Sequence, residues 1–374
     1  MFRVPTRVII EPGCRNRLPE LLTSLGAKKS LVISDGGVAV APWFASFLEV
    51  CGDHELDVAI EPNPRHSTID SLANRAREGR FDCVIGIGGG SVLDAAKAVS
   101  MLLSNPGSIR DYEGKNKFPN PALPFIALPT TCGTGSEVTW VSVISVHQEG
   151  RKISVKGDLM FPRFALVDAE LLASLPAHLV ASTGMDAMTH AIEAVVGKPS
   201  NPTSNALALE AIRLLQCYLP AAANQPVAMG QIVSNEDRTM ALEKVMLAST
   251  LAGMAFGNAD VGAVHCLSES IGGVHDLPHG LLNTLLLVPV LRYQQDAIAE
   301  PLQMVANALQ IKGSDLFGAL ETLIAGLPLQ QWSELNIPPS TFAEIAQKSE
   351  TNGSNGSNRF DMKASDYLAI LEAM

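Results

Sequence analysis

The chain has no paired-cysteine motif, no basic run and no unbroken apolar stretch long enough to span a membrane. Its six cysteines, Cys14, Cys51, Cys83, Cys132, Cys217 and Cys266, are scattered without a CxxC pair among 374 residues. Such spacing suits reduced thiols in the cytoplasm rather than a disulfide framework. Charged residues make up only 17%, the formal net charge is -11, and no Lys/Arg run exceeds two residues. A nucleic-acid partner would require a basic stripe, so none is expected. Nowhere do eighteen apolar residues follow one another, so no membrane partner is expected either. The opening MFRVPTRVIIEPG lacks the apolar core and small-residue cleavage site of a secretion signal.

What is present describes a two-domain globular chain. Hydrophobic residues reach 47%, and the length exceeds what one ordinary core accommodates. In the first half Leu31–Ser34, Cys83–Ile87, Phe125–Leu128 and Phe164–Val167 read as short, fully buried strands. Between them 15–25, 68–79 and 91–103 carry helical spacing. Strand–helix alternation predicts a parallel sheet covered on both faces. After about Leu171 the pattern turns helical, with 185–196, 204–218 and 236–255 rich in Ala and Leu. The expected fold is therefore an α/β dinucleotide-binding domain over 1–170 and an all-α domain over 171–374. The cleft between two domains is the default place for a ligand. The polar stretch Thr351–Asn358 reads as a flexible loop before a last helix over 365–374.

Two loops carry polar chemistry. After the CVIGI strand, Gly88, Gly89, Gly90 and Ser91 lead into a helix, which bares backbone N–H groups where the helix dipole favours a phosphate. Ser91 and Asp94 would also make an ordinary capping box. Asp35, at the end of the first of these strands, can accept bonds from ribose hydroxyls and repel a 2′-phosphate, or can simply shape the turn before two glycines. Thr130, Thr131 and Thr139 belong to a hydroxyl-rich segment, PTTCGTGSEVT, that follows another strand.

The second half places Asp186 and His190 four apart, on one helix face. His265 and His279 flank a short helix and loop. Three imidazoles and a carboxylate suit Fe(II), Zn(II) or a similar ion. An i,i+4 Asp/His pair and idle loop histidines are the bland alternative. Long apolar helices make lone polar groups costly, which favours ligation. His275 is left outside the set because Leu277-Pro278 breaks the spacing to His279.

Together, Asp35, GGGSVLDAAK, PTTCGTGSEVT, GMDAMTHAIEA and VHCLSESIGGVHDLPHG resemble the iron-containing (group III) alcohol dehydrogenases over about residues 1–295. The resemblance implies a metal-dependent, NAD-linked oxidoreductase acting on a small alcohol or aldehyde. Asp186, His190, His265 and His279 would hold the ion, with Fe(II) ahead of Zn(II). Gly88, Gly89, Gly90, Ser91, Asp94, Thr130, Thr131, Thr139 and Lys152 would contact NAD, and Asp35 would select it over NADP. The divalent ion would act as a Lewis acid on the substrate oxygen while hydride passes to or from the nicotinamide. A homodimer is compatible with this reading.

The chain departs from the family twice. Where many members carry a second histidine four residues after His265, it has Glu269, which we expect to orient a ligand imidazole or line the pocket rather than relay protons. Near the end, NGSNRF stands where an Asn-Pro-Arg stretch is often found. A polyol or sugar-alcohol dehydrogenase is the nearest alternative. A lyase resembling dehydroquinate synthase would need several cations for a polyanionic substrate. From Ala181 to Leu291 there are only Lys198, Arg213, Arg238 and Lys244.

Overall fold

Six parallel strands organise the first part of the chain, in the spatial order Arg7–Ile10, Phe164–Val167, Phe125–Pro129, Cys83–Gly88, Ser30–Ile33, His54–Asp57. The computed structural model describes residues 2–223, 235–311 and 315–374. The strands are β1 (Arg7–Ile10), β2 (Ser30–Ile33), β3 (His54–Asp57), β4 (Cys83–Gly88), β6 (Phe125–Pro129) and β9 (Phe164–Val167). A second sheet joins β5 (Gly114–Lys115), β8 (Arg151–Lys156) and β7 (Val141–Val146), with β7 and β8 forming an antiparallel pair. Helices α1 (Leu18–Leu25), α2 (Gly36–Ala39), α3 (Phe44–Val50), α4 (His66–Ala76) and α5 (Gly90–Leu102) fill the connections.

The large sheet shows why its central strands are apolar throughout. Leu31, Ile33 and Val84 face a layer containing Ile69 and Leu72 of α4 and Val92 and Leu93 of α5. Val32, Ile85 and Ile87 face the other layer, with Leu18 of α1 and Phe47 of α3. A strand buried on both faces has no place for alternating polar residues.

The other compact unit gathers Pro176–Met374 together with Cys132–Thr134, while Val4–Thr131 and Gly135–Leu175 make up the α/β unit. The helical unit contains α6 (Ala177–Val196), α7 (Pro202–Ala222), α8 (Asn235–Ala259), α9 (Ala263–His275), α10 (His279–Tyr293), α11 (Ala299–Ala308), α12 (Leu316–Ala325), α13 (Phe342–Glu350) and α14 (Ala364–Glu372). From Gly184 to Val196 every residue of α6 is buried, so its polar side chains need internal partners. Among the described residues one helix, Asp237–Ala259, has the length and composition to cross a membrane, and 56% of its apolar window is buried inside the protein. Core helices pass the same test.

One expectation from composition fails. The stretch Thr351–Asn358 is folded against the helical unit rather than flexible. Ser354 and Ser357 donate their hydroxyls to the two carboxylate oxygens of Asp260 at 3.0 and 2.9 Å. Asn355 donates to the Glu350 and Met362 carbonyls and accepts from the buried Tyr367 hydroxyl. Side-chain amides and hydroxyls here supply the partners that a regular helix would supply from its backbone.

Candidate active site

In the α/β unit, β4 ends at Gly88 and α5 begins at Gly90, with Gly89 as an extended N-cap whose first turn receives no side-chain bond. The expected capping box is therefore absent, and the leading N–H groups of α5 are left for an outside acceptor. A Cβ on Gly88 would meet Val92 Cβ at 2.5 Å, and one on Gly89 would meet Thr131 Cγ2 at 3.1 Å. Bare backbone is required at Gly88, while at Gly89 a side chain would press on Thr131. Thr130, buried, donates its N–H to the Gly88 carbonyl at 3.0 Å.

Asp35 lies just beyond the C-terminal end of β2, the neighbour of β4, and Ser34 ties the two strand ends by donating to Ile87 O at 2.7 Å. The chain leaves β2 towards the β3 edge and leaves β4 towards β6. This reversal creates the crevice at strand C-termini where open α/β sheets bind ligands. Asp35 Oδ1 accepts the Gly37 and Val38 N–H groups at 2.8 and 2.9 Å. The residue thus shapes its turn while offering its second oxygen.

The remaining expected cofactor residues divide into two clusters. Ser91 Oγ accepts the N–H of Asn63 at 3.2 Å, and Lys152 donates to Asn63 Oδ1 at 2.9 Å. Asp94 accepts from Ser136 Oγ and from Val143 N at 2.6 and 2.9 Å. Burial raises the Asp94 carboxyl above its usual range, against the pull of Lys97. Lys97 is fully buried and donates to Ser136 O, Ser136 Oγ, Thr139 Oγ1 and Val141 O at 2.7–3.3 Å. Desolvation lowers its ammonium to about 8, with Asp94 and Glu137 opposing. Asn63 and Lys97, which hold these clusters together, were not singled out by the sequence. Thr139 is buried within the Lys97 cluster.

In the helical unit α6, α9 and α10 bring four expected residues together. Asp186, His190 and His265 are buried, and their donor atoms lie within 4.8 Å of one another. His279, the first residue of α10, is half-buried and reaches Asp186 Oδ1 with Nε2 at 3.8 Å, as does His265 Nε2. A tetrahedral ion with bonds of about 2.1 Å needs donor–donor separations of about 3.4 Å, close to this spacing. Phe256 stacks on the His190 ring at 4.2 Å between centroids.

Glu193, seven residues after Asp186 on the same face of α6, is the partner that sequence reasoning missed. Its Oε2 lies 2.5 Å from His265 Nδ1, and its Oε1 accepts Val264 N–H at 2.7 Å. A carboxylate only accepts, so Nδ1 carries the proton and Nε2 presents its lone pair to the cluster. Glu269 makes no hydrogen bond to these imidazoles among the described residues. Its Oε2 accepts from Asn352 at 2.7 Å, while His279 Nδ1 approaches Ser268 Oγ at 3.5 Å and His275 bonds Thr341 at 3.0 Å.

The electrostatics suit a cation. Among the described residues neither Asp186 nor Glu193, each 2% exposed, pairs with a Lys or Arg. Burial pushes Asp186 upward, yet His190, His279 and His265 hold it below the ordinary carboxylate range. Burial lowers His190 to about 4, against the opposing pull of Asp186. Two buried carboxylates among imidazoles carry a charge that a divalent ion would balance, and isolated buried charges cost several kcal/mol each. The nitrogen and oxygen donor set is compatible with Fe(II) or Zn(II).

His265 is moved the other way. Burial lowers its affinity for a proton, but Glu193, Asp186 and Glu269 together raise it above the ordinary value. A proton and a metal compete for Nε2, so metal affinity should fall as pH drops through that raised value. Glu193→Gln removes the main raising charge and should shift the fall to lower pH, while weakening metal binding at pH 8 about 10- to 100-fold. Zn(II) competition titrations across pH measure both effects. An unchanged onset would remove Glu193 from control of this ring.

Comparison with known proteins agrees over the whole chain. Residues 5–169 match the model of the iron-containing alcohol dehydrogenases, and residues 180–374 match the C-terminal model of the Fe-containing alcohol dehydrogenase family. The NAD-dependent methanol dehydrogenase of Bacillus methanolicus is 33% identical, over 93% of this chain and 90% of its own. The 1,3-propanediol dehydrogenase of Klebsiella pneumoniae is 33% identical, over 96% of this chain and 94% of its own. Among solved structures, a 1,3-propanediol oxidoreductase superposes with a TM-score of 0.90 at 31% identity, covering 100% of this chain and 99% of the other. An α/β unit with a glycine turn and a helical unit with a His/Asp cluster define the class, and the chain belongs to the iron-containing alcohol dehydrogenase family.

Proposed function

We propose that this chain interconverts a small primary alcohol or diol and its aldehyde with NAD(H), using one divalent ion held by Asp186, His190, His265 and His279. The observation that carries the metal assignment is the pair of buried carboxylates, Asp186 and Glu193, set among imidazoles with no Lys or Arg partner among the described residues. When bound, the ion supplies a Lewis acid for the substrate oxygen and NAD supplies the hydride acceptor. The protein's own task is position and charge. Glu193 fixes the His265 ring, Phe256 fixes His190, and the uncapped start of α5 receives the cofactor phosphates. Fe(II) is the ion we favour, on the family's own description. Two relatives named for methanol and 1,3-propanediol support a small alcohol or diol. We place the enzyme in the cytoplasm, where its six free thiols stay reduced.

An anaerobic screen of primary alcohols, diols and polyols with NAD and NADP tests the reading. Turnover confined to polyols would contradict the substrate class. Asp35 should govern cofactor choice, because its carboxylate repels a 2′-phosphate. Asp35→Gly should narrow the preference for NAD over NADP by about tenfold, the ratio worth about 1.4 kcal/mol. The ratio of kcat/KM values for the two cofactors measures it, and a wild-type preference for NADP would displace Asp35 from the ribose.

A further inference from the structure

Asn283 lies one turn after His279 on α10, and its side chain is fully buried. Its amide nitrogen stands 2.6 Å from Asp186 Oδ1, 3.0 Å from His265 Nε2 and 3.1 Å from His279 Nε2. One residue thus touches three of the four candidate ligands. The carboxylate oxygen can only accept, and His265 keeps its proton on Nδ1, where it donates a hydrogen bond to Glu193, so its Nε2 also accepts. The nitrogen end of the amide therefore faces the cluster. The oxygen, Oδ1, is buried and has no partner among the described residues.

An imidazole Nε2 has a single lone pair in the ring plane. That pair serves Asn283 or a metal ion, never both. A carboxylate oxygen has more than one, so Asp186 can keep its bond to Asn283 while it ligates. Three acceptors converging in a buried place repel one another unless a donor or a cation lies between them. Building on the metal-site reading above, we propose that Asn283 is a positioning residue that holds Asp186 with one N–H and the His265 and His279 rings with the other, which they share, in the ion-free protein, and that it yields the shared imidazole bond to the incoming ion.

The proposal fixes the sign of an effect. Metal binding exchanges hydrogen bonds of Asn283 for metal bonds, so losing Asn283 harms the ion-free protein more than the loaded one. By linkage, metal should then bind the folded variant more tightly. A residue that only fills space would weaken both states alike.

The test compares Asn283→Leu, similar in volume but without donors, with wild type. Each is stripped by a chelator and then titrated with Zn(II), a redox-stable probe, while Tm and affinity against a chromophoric chelator are followed. The stripped variant should lose more Tm than the loaded one, and its apparent Zn(II) affinity should tighten by about tenfold, the equivalent of one or two ordinary hydrogen bonds. Folding only in the presence of Zn(II) would be the same result in stronger form. Equal Tm losses in both states, or weaker Zn(II) binding, would overturn the proposal. If Asn283→Leu folds in neither state, Asn283→Ser decides by the same comparison. A wild-type protein that binds no Zn(II) or Fe(II) would instead defeat the metal-site reading itself.

Discussion

His279→Ala will retain little metal and almost no turnover while keeping its fold. The residue opens α10 directly after Pro278, and its side chain is 26% exposed, so truncation leaves only a shallow gap. Its chemical contribution is larger than its packing. Nε2 is one of the donor atoms around Asp186 Oδ1, and three remaining ligands hold a divalent ion poorly. The Lewis acid is worth several kcal/mol of barrier, so kcat should fall roughly a thousandfold. Metal analysis, circular dichroism and steady-state rates on one preparation check this. Full metal content with full activity would take His279 out of the site.

Gly280→Ala should damage the same site without touching a ligand. A Cβ at this position would lie 2.6 Å from the backbone carbonyl oxygen of Ser182 and 3.4 Å from Asp186 Cβ. The obstacle is backbone on α6, which cannot rotate away as a flexible side chain can. Relief requires α10 to move off α6, carrying His279 away from Asp186. Overpacking of this kind costs about 1–3 kcal/mol of stability. The loss of metal should be greater than that implies, because donor distances tolerate only a few tenths of an ångström. Tm and metal affinity measured together separate the two effects. A variant with wild-type affinity would mean that close contact of α10 with α6 does not set the geometry.

The sequence disclosed these features unevenly, for physical reasons. The strands buried on both faces were readable as apolar runs. Val141–Val146 alternates buried and half-buried residues and so escaped a search for such runs, as did the short β1 and the polar edge strand β3. Asp186 and His190 announced themselves as an i,i+4 pair, and the two later histidines by their place beside a short helix and loop. Glu193 stood on the same face, seven residues after Asp186, but only the fold shows that His265 arrives opposite it. Asn283 was equally silent, since an asparagine in an apolar helix gives no hint of three acceptors converging on it. Glu269 attracted attention as a departure from the family, and the chain instead pairs it with Asn352. That partner lies in the Asn/Ser-rich stretch whose composition suggested flexibility. Composition reports what a segment could do alone, and here Asp260 and Tyr367 give its polar groups fixed partners.

The most direct test of the central claim follows alcohol oxidation as a function of bound metal. Protein stripped by a chelator and reloaded anaerobically with Fe(II) should regain NAD reduction in proportion to metal, reaching its maximum at about one ion per chain. Undiminished oxidation of a primary alcohol by the metal-free protein, in the continued presence of chelator, would contradict it.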